Sequence, residues 1–181
     1  MRLFIGVDLP VHLKEALVEF QSELRARGVS GFFKSQDNFH ITLEFLGEID
    51  PNKVITLSEI ISQVARDCKP FDLNITGLGA FPSFKRPHTL WTAVNGDLDE
   101  LHKVRDYLHV QLKDKGFRVE ERQFKPHITL ASRPNCNNAA MQDALAKKIG
   151  DFLVSEIVLF ESKAIRGKRV YTDVFKARLE T

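Results

Sequence analysis

The tetrapeptide His-Ile-Thr-Leu occurs twice in this chain of 181 residues, at 40–43 and at 127–130. The chain has only 6 histidines, so chance is a weak explanation for two His-x-Thr triplets with the same neighbours. Each copy belongs to a short apolar run that is typical of a β-strand. Because histidine can either take or give a proton near neutral pH, a pair of histidines suits a reaction that removes one proton and delivers another.

Strand geometry predicts where these side chains point. Successive side chains alternate between the two faces of a strand, so the His and Thr of each copy share one face and the Ile and Leu share the other. If an approximate two-fold axis relates the two halves of the chain, His40, Thr42, His127 and Thr129 meet across one cleft. A phosphodiester fits such a cleft. One histidine would activate water, the other would protonate the leaving alkoxide, and the hydroxyls would bind the non-bridging oxygens.

Two other interpretations of the histidines are weighed against this one. A single histidine on a half-buried strand is usually structural, but a structural pair has no reason to recur at the same point of both halves. A metal site is disfavoured because no carboxylate or cysteine occupies matching positions in both halves, and two histidines alone are few ligands. We therefore expect chemistry without a metal or another cofactor. Cys68 and Cys136 form no metal spacing and are expected to be exposed, unpaired thiols.

Composition limits the class of protein. The hydrophobic content of 43% is typical of a compact globular chain, and the net charge of +2 is too small for a general nucleic-acid binder. The N-terminal segment lacks the features of a secretory signal, and no apolar stretch approaches the roughly 20 residues of a membrane span. We expect a soluble, cytoplasmic protein.

Hydrophobic periodicity predicts the elements that position the motifs. Helices are expected from the turn at Pro10 to residue 27, from Pro51 onward, over 98–112 and over about 139–149, with Gly28 and Gly116 as terminators. Strands are expected over 3–7, 39–46, 71–81, 89–94, 124–131, 152–160 and 170–179.

This order repeats, which indicates an internal duplication. A shift of 127 − 40 = 87 residues superposes the motifs and places Phe4 on Trp91. The predicted fold class is α+β: a duplicated two-lobe fold with antiparallel-rich sheets flanked by helices, in which the motif strand of each lobe lines a central cleft. Residues 1–181 are expected to form a single domain with lobes at roughly 1–82 and 87–181.

Beyond the motifs, the segments 2–10, 38–47 and 124–130 and the closing pair of strands resemble the 2H phosphoesterases. More narrowly, the chain is similar to the bacterial and archaeal RNA 2',3'-cyclic phosphodiesterases, also called 2'-5' RNA ligases. The resemblance implies metal-independent hydrolysis of RNA 2',3'-cyclic phosphate ends to 2'-phosphates. His40 would be the proton donor and His127 the proton acceptor, and Thr42 and Thr129 would contact the phosphate. The reverse reaction would form a 2'-5' bond.

The sequence departs from this family just after the second motif. The family usually carries an arginine five residues after the second histidine, where this chain has Ser132. Continued strand alternation predicts that Arg133 lies on the face of His127 and substitutes for that arginine; otherwise the contact is lost. The same alternation places Glu44 on the face of His40 and Phe45 on the core face.

Two alternative functions remain open on the sequence. One keeps the chemistry but changes the substrate to a 2'-5' oligonucleotide or a nucleotide-sugar cyclic phosphate. The other is a non-catalytic protein that binds RNA ends or nucleotides. The expected partners are RNA 3' ends or nucleotides that bear a 2',3'-cyclic phosphate. A monomer is expected because both halves of the site lie on one chain.

Overall fold

The computed structural model describes residues 1–136 and 141–180. Its helices are α1 (Val11–Ala26), α2 (Val54–Asp67) and α3 (Leu98–Asp114), with short 3-10 helices at Gln36–Asn38, Pro51–Lys53 and Gln142–Ala144. Its strands are β1 (Arg2–Asp8), β2 (Ser30–Phe33), β3 (His40–Glu48), β4 (Phe71–Phe81), β5 (Thr89–Gly96), β6 (His127–Asn135), β7 (Lys148–Val154), β8 (Glu156–Ile165) and β9 (Lys168–Arg178).

The strands form two antiparallel sheets. The first sheet has the order β3-β1-β8-β9, and the second has the order β2-β6-β5-β4-β7. The motif strands β3 and β6 belong to different sheets and approach each other. The predicted α+β class with antiparallel sheets is confirmed, and the two sheets place one motif strand on each side of a cleft.

Each sheet combines strands from both halves of the sequence. In the first sheet β3 and β1 are followed by β8 and β9 from the second half, and in the second sheet β6 and β5 are followed by β4 from the first half. The expected lobes at 1–82 and 87–181 therefore do not coincide with the two sheets. One hydrophobic cluster contains buried residues from both sheets and all three helices, so the halves share a core.

The three helices match the predicted periodicity closely. Each buries one apolar stripe at three- and four-residue spacing, and burial of each large side chain contributes about 1.5–3 kcal/mol. Helix α1 ends at Ala26 and is followed by Gly28, which has a φ of +91°, and the Val29 amide donates to the Leu24 carbonyl at 3.0 Å. This left-handed turn favours glycine. Across the described residues, no helix has the length and hydropathy that a membrane span requires.

The structure differs from the expected elements near residue 150. The predicted helix over 139–149 is wrong for residues 142–149, which hold a 3-10 turn and the start of β7, while 137–140 lie outside the described residues. Strand β7 pairs with β4, and this tertiary pairing overrides a weak helical pattern. Gly150 lets β7 lie close to α1, since a Cβ there would lie 2.7 Å from Leu13 Cδ2.

Three further differences are smaller. The predicted strand over 152–160 is two strands, because the chain leaves the second sheet after Val154 and enters the first at Glu156. Strand β2 was not predicted, since its four residues are mostly exposed and show no alternation. Cys68 is buried in the core rather than exposed, and both cysteines are free thiols.

Replacing Gly79 with alanine is expected to destabilise the second sheet. A Cβ at Gly79 would collide with the ring of Trp91, which is the cross-strand partner of Gly79 and lies beside His127. The overpacking should lower the free energy of unfolding by about 1–3 kcal/mol, measured by urea denaturation. In a Trp91→Leu background the same change should cost much less. An equal cost in both backgrounds would contradict the contact as the cause.

Candidate active site

The structure brings the two predicted His-Thr pairs to one cleft of about 370 Å³ between the sheets. Matched residues from the two halves line it in four pairs: His40 and His127, Thr42 and Thr129, Phe45 and Ser132, and Phe4 and Thr89. The first three pairs are 87 residues apart, and the fourth is 85 apart (89 − 4 = 85). The cleft therefore has approximate two-fold symmetry in its lining.

The register of the first strands corrects one expected match. Gly6 of β1 lies opposite Thr42, and Trp91 of β5 lies opposite Thr129. Trp91 is therefore the counterpart of Gly6 rather than of Phe4, and the shift in these strands is 91 − 6 = 85 residues. Because side chains alternate with a period of two, moving the alignment by two residues does not change which face of the strand a residue is on, and the predicted faces of β1 and β5 remain correct.

Both imidazoles are held in the same way by the backbone. His40 Nδ1 lies 2.8 Å from the Asn38 carbonyl oxygen, and His127 Nδ1 lies 2.7 Å from the Lys125 carbonyl oxygen. A carbonyl only accepts hydrogen bonds, so each Nδ1 carries a proton and donates it. The neutral imidazole then has its lone pair on Nε2, which is the atom left for proton transfer.

The two threonines differ in their contacts. Thr42 Oγ1 lies 2.9 Å from His40 Nε2, and the hydroxyl donates when the imidazole is neutral. Among the described residues none forms a hydrogen bond with His127 Nε2. His127 therefore has the freer nitrogen, whereas His40 already has a hydroxyl at the atom that would exchange a proton.

Aromatic rings surround each histidine. The Phe4 and Tyr171 rings lie 4.7 and 5.1 Å from the His40 ring, and the Phe81 ring meets His127 edge-on at 4.9 Å. Burial among these rings removes water from the imidazoles and disfavours their charged form. This desolvation lowers the pKa of His40 to about 4 and lowers that of His127 below its ordinary value of 6.5.

The cleft carries positive charge although its histidines are neutral at pH 7. Arg2, Lys34 and Arg169 line it, and none of the described residues lining it has a carboxylate. Oriented cations inside a partly enclosed cleft attract anions more strongly than the same charges on open surface. The site is suited to a small anionic group bound between the two imidazoles.

A β-bulge changes the face of the residues that follow each motif. Leu43 in β3 and Leu130 in β6 are extra residues that have no partner on the neighbouring strand, and alternation reverses beyond them. Phe45 and Ser132 consequently line the cleft, while Glu44 turns into the interior. The bulges occupy matching positions, because 130 − 43 is also 87.

The expectation that Arg133 lies beside His127 is therefore wrong. Arg133 is exposed, has a φ of +47° and does not line the cleft. The prediction required a regular strand through residue 133, and the bulge at Leu130 breaks that condition. The buried Glu44 also differs from its expected place: its Oε1 lies 2.6 Å from His109 Nδ1 and 3.4 Å from Arg105 Nε on α3.

A second groove of about 640 Å³ opens beside His127. It shares Thr42, Phe45, Thr89 and His127 with the cleft, and it continues past aromatic and basic side chains, which include Phe81, Phe124, Arg122 and Lys125. Arg169 lines the cleft, and Phe81 lines this groove.

The described residues contain no group of three or more His, Cys, Asp or Glu side chains placed to hold a metal ion. The groups in the cleft most suited to bind a metal ion are the two imidazoles, and the side chains around them include hydroxyl groups and positive charges. Cations beside a vacant imidazole nitrogen repel a metal ion and favour an anion.

Comparison with known proteins agrees with this geometry. The profile of LigT-like phosphoesterases matches residues 7–91 and 94–171. The chain belongs to the LigT-like phosphoesterase family. An RNA 2',3'-cyclic phosphodiesterase of Archaeoglobus fulgidus is 32% identical over 179 residues, which cover 96% of this chain and 98% of the relative. The predicted resemblance is confirmed.

Solved structures of the LigT-like family share the whole fold. A crystal structure of TT0787 from Thermus thermophilus has a TM-score of 0.84 at 28% identity, with 99% of this chain and 98% of that chain covered. Escherichia coli LigT complexed with 3'-AMP has a TM-score of 0.82 at 26% identity, with the same coverage. The expected class of enzyme, a phosphoesterase, is confirmed at the level of this LigT-like family.

Sequence reasoning missed several residues of this LigT-like cleft. Arg2 and Phe4 share a face of β1, and Tyr171 shares a face of β9 with Arg169, so two-residue spacing offered a signal for Arg2, Phe4 and Tyr171. Lys34 offered none, since it follows a strand that the sequence pattern does not indicate. Ser162 of β8 lies beside Arg169, whose Nη1 is 3.4 Å from the Ser162 hydroxyl oxygen.

Proposed function

We propose that this protein hydrolyses RNA 2',3'-cyclic phosphate ends to 2'-phosphates without a metal ion. The observation that carries the proposal is one cationic cleft, without a carboxylate among its described lining residues, into which the two motif histidines direct Nε2. Relatives that are about 30% identical over nearly the full chain are RNA 2',3'-cyclic phosphodiesterases. The crystallised complex of E. coli LigT with 3'-AMP supports a nucleotide ligand.

In the proposed mechanism His127 Nε2 accepts a proton from water as the water oxygen attacks phosphorus. The bond from phosphorus to the 3' oxygen breaks, and His40 Nε2 donates a proton to that oxygen. The products are a 2'-phosphate and a 3'-hydroxyl. Because both histidines are held beside one phosphate, the reaction does not depend on separate collisions with an acid and a base from solution. Each proton transfer contributes about 10²- to 10⁴-fold in rate.

Thr42 and Thr129 are assigned to the phosphate. Their hydroxyls line the cleft beside the histidines, where they can donate to the two non-bridging oxygens that gain charge in the transition state. Thr42 donates to His40 Nε2 in the free protein, and this contact must be exchanged for one to phosphate when His40 becomes protonated.

The pKa values place a condition on the two roles. The pKa shift is larger at His40, so His127 takes up a proton more readily in the free protein. His40 can act as the acid only if the bound phosphate anion raises its pKa. An anion next to an imidazolium does raise its pKa, and the carboxylate-free lining leaves the substrate to supply that negative charge.

An assay in the presence of a chelator tests the proposed function. Cytidine 2',3'-cyclic phosphate, or an RNA oligonucleotide ending in this group, is incubated with the protein in excess EDTA, and the products are separated by chromatography. The 2'-phosphate should accumulate at an unchanged rate with EDTA. Binding without any turnover would overturn the proposal and favour an RNA-end binder. A 3'-phosphate product, or turnover only of 2'-5' oligonucleotides or nucleotide-sugar cyclic phosphates, would change the substrate.

The pH dependence should have its maximum on the acid side of neutrality. Activity requires one protonated and one neutral imidazole, and both pKa values are lowered in the free protein, that of His40 to about 4. The single proton is lost as the pH rises through the pKa of His127, below 6.5. We therefore expect kcat/KM to be highest between about pH 4 and 6.5 and to fall about tenfold per pH unit above this range. A maximum above pH 7 would contradict the shifts.

The second groove supports reverse ligation as a further activity of the same site. A 5'-hydroxyl in place of water must approach phosphorus from the side of His127, and the groove beside His127 has room for a nucleotide next to Phe81, Phe124 and Lys125. Aromatic faces and a basic side chain suit single-stranded RNA.

We also propose that the protein acts in the cytoplasm as a monomer, since one chain supplies both motif strands.

A further inference from the structure

The phosphate in the proposed reaction needs a positive charge close to both histidines. Two residues beyond the bulge at Leu130, Ser132 brings a hydroxyl but no charge into the cleft. Three cations line the cleft, namely Arg2, Lys34 and Arg169, and the question is which of them is free to bind the phosphate.

Each of the two arginines has one side-chain contact within the protein. The guanidinium of Arg2 lies over the Phe45 ring, 5.2 Å from its centroid. Nη1 of Arg169 is 3.4 Å from the Ser162 hydroxyl oxygen. The Lys34 ammonium makes no hydrogen bond or ion pair with any described residue, although the side chain is half-buried. An ammonium that lines the cleft and is not held by an acceptor is well placed to meet an anion.

The backbone of Lys34 is fixed against the second motif strand. Its amide donates to the Leu130 carbonyl at 2.8 Å, at the bulged residue itself. Gln21 of α1 is only 3% exposed, and its Nε2 donates to the carbonyls of Lys34 at 2.9 Å and of Leu130 at 3.0 Å. This buried clamp sets the position from which the lysine side chain enters the cleft.

Lys34 also acts on the histidine of the opposite sheet. Its charge is one of those that lower the pKa of His40, together with His127, while Asp8 opposes them. The ammonium therefore lies within electrostatic range of His40, although its backbone is joined to the strand of His127. The Lys34 side chain therefore reaches toward His40 from a backbone position that is fixed beside the strand of His127.

We propose that the Lys34 ammonium binds a non-bridging oxygen of the scissile phosphate and stabilises the charge that develops there in the transition state. The assignment rests on the proposed function for its catalytic part. A lysine ammonium acts as a point charge and, unlike the guanidinium of arginine, does not bind in a planar bidentate geometry, so it tolerates several orientations of the phosphate. The cation thus comes from the residue that follows β2, outside the motif strands, and the second sheet holds its backbone against Leu130.

Replacing Lys34 with methionine keeps the apolar length of the side chain and removes the charge. We expect kcat/KM for the cyclic phosphate to fall about 10²-fold, mainly in kcat, as for loss of one donor to a developing oxyanion. Lys34→Arg should keep most of the activity. Lys115→Met, at an exposed lysine after α3 that does not line the cleft, is the matched control and should be unchanged.

A rescue variant separates a phosphate contact from a structural role. Residue 132 lines the same cleft, and β2 next to Lys34 pairs with it. An arginine there brings a guanidinium into the cleft from the neighbouring strand. The double variant Lys34→Met/Ser132→Arg should recover at least about tenfold of the lost kcat/KM. No recovery, together with a lowered Tm in Lys34→Met, would overturn the assignment and indicate a structural lysine.

Binding of inorganic phosphate gives a readout that does not need turnover. Titration followed by the NMR signals of His40 and His127 should show about tenfold weaker phosphate binding in Lys34→Met and unchanged binding in Lys115→Met. Weakened binding in a protein that hydrolyses no cyclic phosphate would support the site and refute the proposed function. Unchanged binding and unchanged turnover in Lys34→Met would overturn the assignment of Lys34 and leave the proposed function intact.

Discussion

His127→Ala and His40→Ala are each expected to lower kcat for the cyclic phosphate by about 10²- to 10⁴-fold. Each change removes one proton-transfer group from a cleft that contains no carboxylate among its described lining residues to replace it. Because the two groups act in the same step, the double variant should be little worse than the slower single variant. Initial rates with saturating substrate give kcat directly.

The control for these variants is His12→Ala, at an exposed histidine of α1 outside the cleft. It should retain the full rate. Thermal unfolding should show that the active-site variants remain folded, since His40 and His127 are only half-buried and hydrogen-bond only to backbone carbonyls and Thr42. Retention of more than a tenth of kcat in either variant would contradict a paired acid and base.

A cyclic phosphate whose 3' bridging oxygen is replaced by sulfur should restore most of the rate lost in His40→Ala. A thiol has a pKa near 8.5, so the thiolate leaves without the proton that an alkoxide requires. The base is still needed to activate water, and His127→Ala should not be rescued by this substrate. The ratio of rates on the sulfur and oxygen substrates, measured for each variant, gives the role of each histidine.

This experiment decides between two physical arguments. Family resemblance assigns proton donation to His40, whereas the pKa of about 4 makes His40 the harder of the two to protonate in the free protein. Rescue of His127→Ala in place of His40→Ala would reverse the assignment. The hydrogen bond from the Thr42 hydroxyl to His40 Nε2 also opposes protonation of His40, because it occupies the atom that must carry the proton.

The sequence was a reliable guide where structure depends on local periodicity. The stripes of α1, α2 and α3 were visible because burial of one helical face requires three- and four-residue spacing. The helix end at Gly28 was visible because a left-handed residue favours glycine. Strand β7 could not be predicted from the local sequence, since its hydrogen-bonding partner β4 lies about 75 residues earlier in the chain.

By itself the sequence determined the chemical groups of this site: two histidines and two threonines, each pair on one face of a strand, because alternation over three residues is a property of the extended backbone. The tertiary structure decided everything that depends on hydrogen bonds to another strand. Pairing with β1 and β5 introduces the bulges at Leu43 and Leu130, and the bulges send Arg133 to solvent and Ser132 into the cleft. Pairing of β2 with β6 brings Lys34 beside them, at a distance in sequence over which no local pattern acts.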